Sequence, residues 1–306
     1  MPRRAGASGR ATTVQKLQSL ILAPVLPAKT IPLVRADLAK RRFERARLRR
    51  ELAEITRGSS IRVASALAAA SPEVKKEVAR AKARLAATRR RLRPRVHPPA
   101  VEPGVPALAT GSLIHVVAPP YGFVVAEQLD GAPSDVTQAP SADADAGTFG
   151  AVANSSNGSA DVLAGVGFFF HPATTESGAT VRPYARCSYS WSDMSNFLTA
   201  HNDGTFGTSV YTFHADGTLA KFPPDEGSLQ LWSDGTGWLD SHSDAGDNVW
   251  PGFLEVPFAL TPGEFFVIVV WCECALDGAE SGAFLGWAQA TLQTSLPLCY
   301  VQEGGF

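Results

Sequence analysis

The sequence predicts an α+β chain: an Arg-rich helical N-terminal arm, folded as a helical hairpin or short coiled coil, followed by an antiparallel, jelly-roll-like β-sandwich. Three observations carry this reading. Charge is segregated, since residues 1–95 hold 25 Arg and Lys against 6 Asp and Glu, a net +19, whereas residues 96–306 hold 3 against 23, a net −20. The hydrophobic period also changes, from helical before the Pro-rich stretch 95–109 to strand-like after it. Finally, Gly and Pro punctuate the second part at the short intervals that separate strands. The overall charge of −1 conceals the first of these features.

Residues 1–33 read as a flexible basic tail, small and polar at first, with Val14–Leu22 long enough for two helical turns. The order of basic residues, apolar patch and Leu26-Pro27-Ala28 imitates a signal peptide. Gln18, Ser19 and Pro24 interrupt the apolar core, so an unprocessed, soluble chain is expected, and its compartment is left open. No run approaches the roughly 20 apolar residues of a membrane span.

Residues 34–94 form the basic helical region. A first helix is expected from Val34 to Thr56, with Leu48, Leu52 and Ile55 on one stripe and Gly58 at the C-cap. Ser71-Pro72-Glu73 is a helix start: an N-cap hydroxyl, Pro at the first helical position and an acid in the first turn. The helix that follows places Val74, Val78, Ala81, Leu85, Thr88 and Leu92 on a narrow heptad seam. That seam suits either a coiled-coil trunk or a helix covering one face of the sandwich. Residues 95–109 are a Pro-rich linker.

The acidic sandwich occupies 110–306. Strands are expected at Ser112–Ala118, Gly122–Glu127, Phe149–Asn154, Val162–Phe170 and Val181–Trp191, the last alternating cleanly. Leu129–Ala146 reads as a long acidic loop. Ser209–Phe213 and Thr218–Phe222 flank the hairpin signal Ala215-Asp216-Gly217. Ser228–Trp232, a short strand near Trp238, and Gly252–Leu260 follow. Phe265–Cys274 is apolar on both faces and therefore an interior strand covered on both sides. Ala283–Leu292 and Leu296–Val301 complete the chain.

Four cysteines, Cys187, Cys272, Cys274 and Cys299, lack zinc-type spacing and read as buried thiols, with a single disulfide as the alternative. Arg41, Arg42, Arg45, Arg47, Arg49 and Arg50, with Arg89, Arg90, Arg91 and Arg93, are the candidate polyanion-binding residues. Guanidinium forks pair with phosphate oxygens, and neutralisation releases counterions without reading sequence. The competing role for these residues is pairing with the acidic domain of the same or a neighbouring chain. Trp238 and Trp250, in polar and loop-rich context, are candidate stacking residues for a glycan. Asp240, Asp244 and Asp247 form a candidate calcium loop, although His242 stands at its third position and no Glu stands at the twelfth. No other cofactor is expected.

His201, His214 and His242 each lie near Asp and Ser, but no nucleophile elbow, zincin helix or phosphate-binding Gly loop accompanies them. The expectation is a non-enzymatic binding and assembly protein, with nucleic acid or another polyanion and further copies of itself as partners. A basic arm preceding a sandwich resembles, at the level of arrangement, the coat proteins of many viruses. The alternative is a surface or secreted module whose helical stalk presents a glycan- or ligand-binding sandwich. The third reading is a hydrolase.

Overall fold

The computed structural model describes residues 14–16, 28–41, 44, 48, 72, 113–128, 136–156, 158–173, 178–195, 200–236, 240–281 and 284–304. Thirteen strands among the described residues form a β-sandwich of two sheets, antiparallel except for one short pairing. The strands are β1 (Val14–Lys16), β2 (Leu113–Val117), β3 (Phe123–Gln128), β4 (Val136–Asp143), β5 (Thr148–Ser155), β6 (Gly158–Phe170) and β7 (Gly178–Ser195). They continue with β8 (Ala200–His214), β9 (Asp225–Thr236), β10 (Asp240–Val249), β11 (Val256–Ala259), β12 (Glu264–Ser281) and β13 (Phe284–Glu303).

One sheet runs β3-β6-β12-β8-β9. The other is built on the long pair β13 and β7. β13 takes β5 and then β2 along its free edge, β4 pairs β5, and β7 takes β10 and β11 along its own. The end of β12 crosses over and pairs β13 at Ala279–Ser281, which joins the sheets.

The core follows from strand parity. On β12 the even positions Phe266, Ile268, Val270, Cys272, Cys274 and Leu276 point between the sheets. There they meet Phe149, Ala151, Val181, Ala185, Cys187, Leu292 and Leu296 of the opposite sheet. The odd positions Phe265, Val267, Val269 and Trp271 point outward, and a second cluster buries them. Its cover is a helix, α1, over residues 28–41, whose Thr30, Val34 and Leu38 are buried at helical spacing. Phe265–Cys274 is thus interior on both faces, with a sheet on one side and α1 on the other.

Several expectations are corrected. The helix begins at 28 rather than 34, inside the stretch read as a flexible tail. Pro32 lies early in the helix, where its missing N–H forfeits one i→i−4 bond, to residue 28. Residues 14–16 pair parallel to β2 at Val14↔Ile114 and are strand, not helix. The acidic segment 129–146 contains β4, which pairs β5 along its length. The proposed calcium loop is β10, held against β7 from Asp240↔Ser195 to Val249↔Cys187. Both β4 and β10 sit at sheet edges, where polar residues are tolerated on the open face.

After β8, the turn at Asp216-Gly217 leads to a single bridge, Phe213↔Leu219, and not to a strand over 218–222. The pairing stops after Ala220, whose N–H donates to the Thr212 carbonyl at 2.8 Å, and Pro223 and Pro224 follow with no N–H to extend it. The two final strands are one, since β13 bulges between Ser295 and Leu298. The extra residue flips the inward parity from Leu292 and Leu296 to Cys299 and Val301. All four cysteines are free and buried. Apart from residues 44, 48 and 72, which are helical, the rest of the helical region, including the heptad seam, and the 95–109 linker lie outside the described residues.

Candidate functional site

Three places bear on function: the root of the basic arm, an aromatic edge, and a polar corner between the sheets.

The arm is rooted on the sheet by Arg41, the last residue in the continuous described stretch of α1. Its Nε lies 2.8 Å from Asp37 Oδ2, one helical turn back. One terminal nitrogen donates to Glu226 Oε2 of β9, and the other donates to the Tyr211 hydroxyl of β8 at 2.7 Å. Tyr211 in turn donates to Asp37 Oδ2 at 2.9 Å. Burial works against the Arg41 charge, but Tyr211, Glu226 and Asp37 outweigh it and hold the guanidinium more firmly protonated. Burial likewise pushes the Tyr211 hydroxyl up, with Asp37 adding to the effect. Arg35 donates to the Val124 carbonyl at 2.7 Å. Arg41, expected from the sequence among the polyanion contacts, is in this structure engaged by Asp37, Tyr211 and Glu226. Arg42, Arg45, Arg47, Arg49, Arg50, Arg89, Arg90, Arg91 and Arg93 lie outside the described residues.

Of the tryptophans, Trp191, Trp232 and Trp271 are buried. Trp232 stacks on Tyr189 at 5.1 Å and donates to Asn202 Oδ1 at 2.8 Å. Trp250 meets Phe253 edge to face at 4.5 Å, and Phe253 is 62% exposed. Trp238 lies outside the described residues.

The polar corner was not legible in the sequence. The proposed calcium ligands do not converge. Asp244 accepts from the Ala245 amide at 2.9 Å, and Asp247 accepts from Ser188 Oγ at 2.7 Å across the β10 bulge. Asp240 instead lies 3.1 Å from His242 Nε2. The other ring nitrogen, Nδ1, lies 2.5 Å from Asp234 Oδ2 on β9. Register places His242 directly across from Asp193 of β7. One ligand atom from each of Asp193, Asp234 and His242 falls within 4.8 Å of the others.

Asp193 is 1% exposed, and neither carboxylate oxygen makes a hydrogen bond of normal geometry. Burial first, then the neighbouring Asp234 charge, pushes its carboxyl up to about 6, against the pull of His242 and His201. The other candidate histidines pair locally: His201 Nε2 lies 2.8 Å from Asp203, and His214 Nδ1 lies 3.6 Å from Glu264. No helix among the described residues is long and apolar enough to cross a membrane.

No family model matches the chain, and no curated protein matches it. Among solved structures, TmCBM61 in complex with beta-1,4-galactotriose aligns at 9% identity and a TM-score of 0.17, covering 59% of this chain and 88% of that one. The infectious bursal disease virus Gx strain structure aligns at 9% identity and a TM-score of 0.17, covering 67% of this chain and 40% of that one. A xylan-binding domain from CBM 22 aligns at 8% identity and a TM-score of 0.13, covering 55% and 90%. Superpositions this weak do not assign the chain to any of these groups.

Proposed function

We propose that the protein is a non-enzymatic binding and assembly protein in which a jelly-roll-like acidic head carries a polycationic arm that binds nucleic acid or another polyanion. The observation that supports this most strongly is the charge division of +19 before residue 96 against −20 after it. The docking of α1 adds to it. Arg41 and Arg35 are engaged by the head, so the arm is anchored at residue 41. Apart from Arg3, Arg4 and Arg10, the remaining arginines of the basic half follow that anchor in sequence. A guanidinium-rich segment held by the head on both sides, at α1 and at β2, binds phosphates by charge and counterion release, independent of sequence. The head would then make the contacts between copies.

The test compares the full chain with a variant carrying Gln at Arg42, Arg45, Arg47, Arg49 and Arg50, with Arg41 kept. Single-stranded RNA and duplex DNA should be retained on a filter at 50 mM salt by the first and only weakly by the second. Light scattering should show the full chain as a multimer that enlarges with added RNA. Absence of retention by the full chain at that salt overturns the reading.

A second reading rests on the Trp250–Phe253 pair, which places an exposed Phe253 ring edge to face with a half-buried Trp250, apolar ring surface that a sugar can pack on. In it the head is a glycan-binding module and the arm a stalk. Retention on immobilised oligosaccharide, lost in Trp250→Ala, would favour it.

A further inference from the structure

We propose that Asp193, Asp234 and His242 bind one divalent transition-metal ion of the zinc class between the two sheets, with Asp240 orienting the imidazole. The strands supply the ligands from both layers. Asp193 and His242 sit across from each other on β7 and β10 of one sheet, and Asp234 is on β9 of the other. A metal there would pin the sheets together at an end where no hydrogen-bond ladder joins β9 to β10 among the described residues.

What points to a cation is the conflict among the corner's acceptors. Asp240 lies 3.1 Å from Nε2 of His242, a placement that suits the tautomer with its proton on Nε2. Nδ1 is then an acceptor, yet it faces Asp234 Oδ2 at 2.5 Å. Two lone pairs at that distance need something positive between them. A second ring proton would answer Asp234 but would leave Asp193 unmatched. Asp193 is 1% exposed, directed into the same corner, with neither oxygen hydrogen-bonded in normal geometry. The main-chain N–H of His242 favours its ionised form but does not reach hydrogen-bond geometry.

A divalent cation answers all three groups and balances two carboxylates. The arrangement of carboxylate, histidine and metal also matches how ligating imidazoles are held: one nitrogen on the ion and the other donating to an acid. One imidazole with two carboxylates favours zinc-like ions over calcium, which takes oxygen ligands throughout. Ligand atoms at about 2.1 Å from a tetrahedral ion stand about 3.4 Å apart, so side-chain rotations must close the wider gaps within the 4.8 Å spread and open the 2.5 Å His242–Asp234 contact by about 0.9 Å.

The test uses the full chain, stripped with a chelator and titrated with Zn2+ against a chromophoric competitor. One Zn2+ per chain should bind. Affinity should fall by at least about 100-fold in Asp193→Asn and in His242→Gln, and by about 10- to 100-fold in Asp240→Asn, where only the support of the ring is lost. Far-UV circular dichroism checks that each variant folds. Should one fail, Co2+ bound to the unaltered chain gives an independent reading: visible bands of a nitrogen–oxygen site without thiolate charge transfer. The proposal is overturned by absence of one-to-one binding or by equal affinity in Asp193→Asn and His242→Gln. A thiolate band with Co2+, or Ca2+ bound more tightly than Zn2+, would overturn it as well. The outcome is independent of whether the arm binds a polyanion.

Discussion

Trp271 stands directly across from Gly207, the β8 residue that leaves room for its indole. A β-carbon at Gly207 would come within 2.3 Å of the Trp271 ring. On the other flank Trp271 is in register with Gly165 of β6, where a β-carbon would meet the Val270 carbonyl at 2.5 Å. The indole is anchored by its Nε1, which donates to Ser209 Oγ at 3.0 Å, and is fully buried beneath α1. It cannot swing aside without losing that bond and its packing. Gly207→Ala should therefore cost about 1–3 kcal/mol, as overpacking of a dense core does. Urea denaturation checks this. An unchanged midpoint would show that the ring can shift freely.

The helix that closes over this ring should be integral to the fold. Leu38 is 2% exposed and Val34 fully buried against Phe213, Phe265 and Val267. Leu38→Ala should cost about 2–5 kcal/mol. A chain beginning at Ala107 keeps β2 to β13 but lacks α1, and that bares Val267, Val269 and Trp271 on the outer face of a central strand. That shortened chain should bind a hydrophobic dye and melt at a lower urea concentration than the full chain. Equal stability of the two would show that α1 is dispensable.

What was readable in the sequence, and what was not, divides along physical lines. β12 was readable because both of its faces are apolar, which only a strand covered twice requires. Its second cover was not, since the apolar stripe of α1 is short, straddles Pro32 and is surrounded by basic residues. β4 and β10 were read as loops because edge strands rich in Ser, Asp and Gly carry no alternating signal. Cys299 and Leu296 seemed to belong to a different strand from Leu292, because a bulge reverses parity. The polar corner had no local signature at all: Asp193 and His242 meet only through the register of β7 with β10.

The thiols should be inert in the folded protein. Burial pushes Cys187 up to about 11, against a modest opposing effect of its hydrogen bond to Thr294. Burial raises Cys274 and Cys299 further. Thiolate is the reactive form, so none should react with an aromatic disulfide reagent at pH 8 in native buffer. All four should react in denaturant. Fast reaction of even one native thiol would contradict the burial described.

The Arg41 network makes a separate forecast. Its side chain is 19% exposed and that of Glu226 is 23% exposed, so solvent screens the pair in part. A double-mutant cycle of Arg41→Gln with Glu226→Gln should give a coupling of about 1 kcal/mol. Each single change should lower stability and leave polyanion affinity nearly unchanged, because Arg41 is held by the head. A loss of affinity in Arg41→Gln as large as that of an arm arginine would return Arg41 to the binding set.

The final prediction concerns the far end of the arm. If its arginines contact phosphates, affinity for duplex DNA should fall steeply with salt, each contact adding a slope of about −0.9 on logarithmic axes. Changing Arg89, Arg90, Arg91 and Arg93 to Gln keeps residues of good helix propensity while removing four charges. Should all four make contacts, the slope should flatten by up to about 3.6, with helix content by circular dichroism unchanged. The competing role, neutralising the acidic head of its own or a neighbouring chain, forecasts the reverse. Binding at 50 mM salt would be weak from the start, and the same four changes would lower the melting temperature or split the multimer. A docked arginine such as Arg41 shows that the head can recruit arm charge, so the two forecasts compete for the same residues. A flattened slope with unchanged stability favours the polyanion. An unchanged slope with lost stability assigns the distal arm to the head.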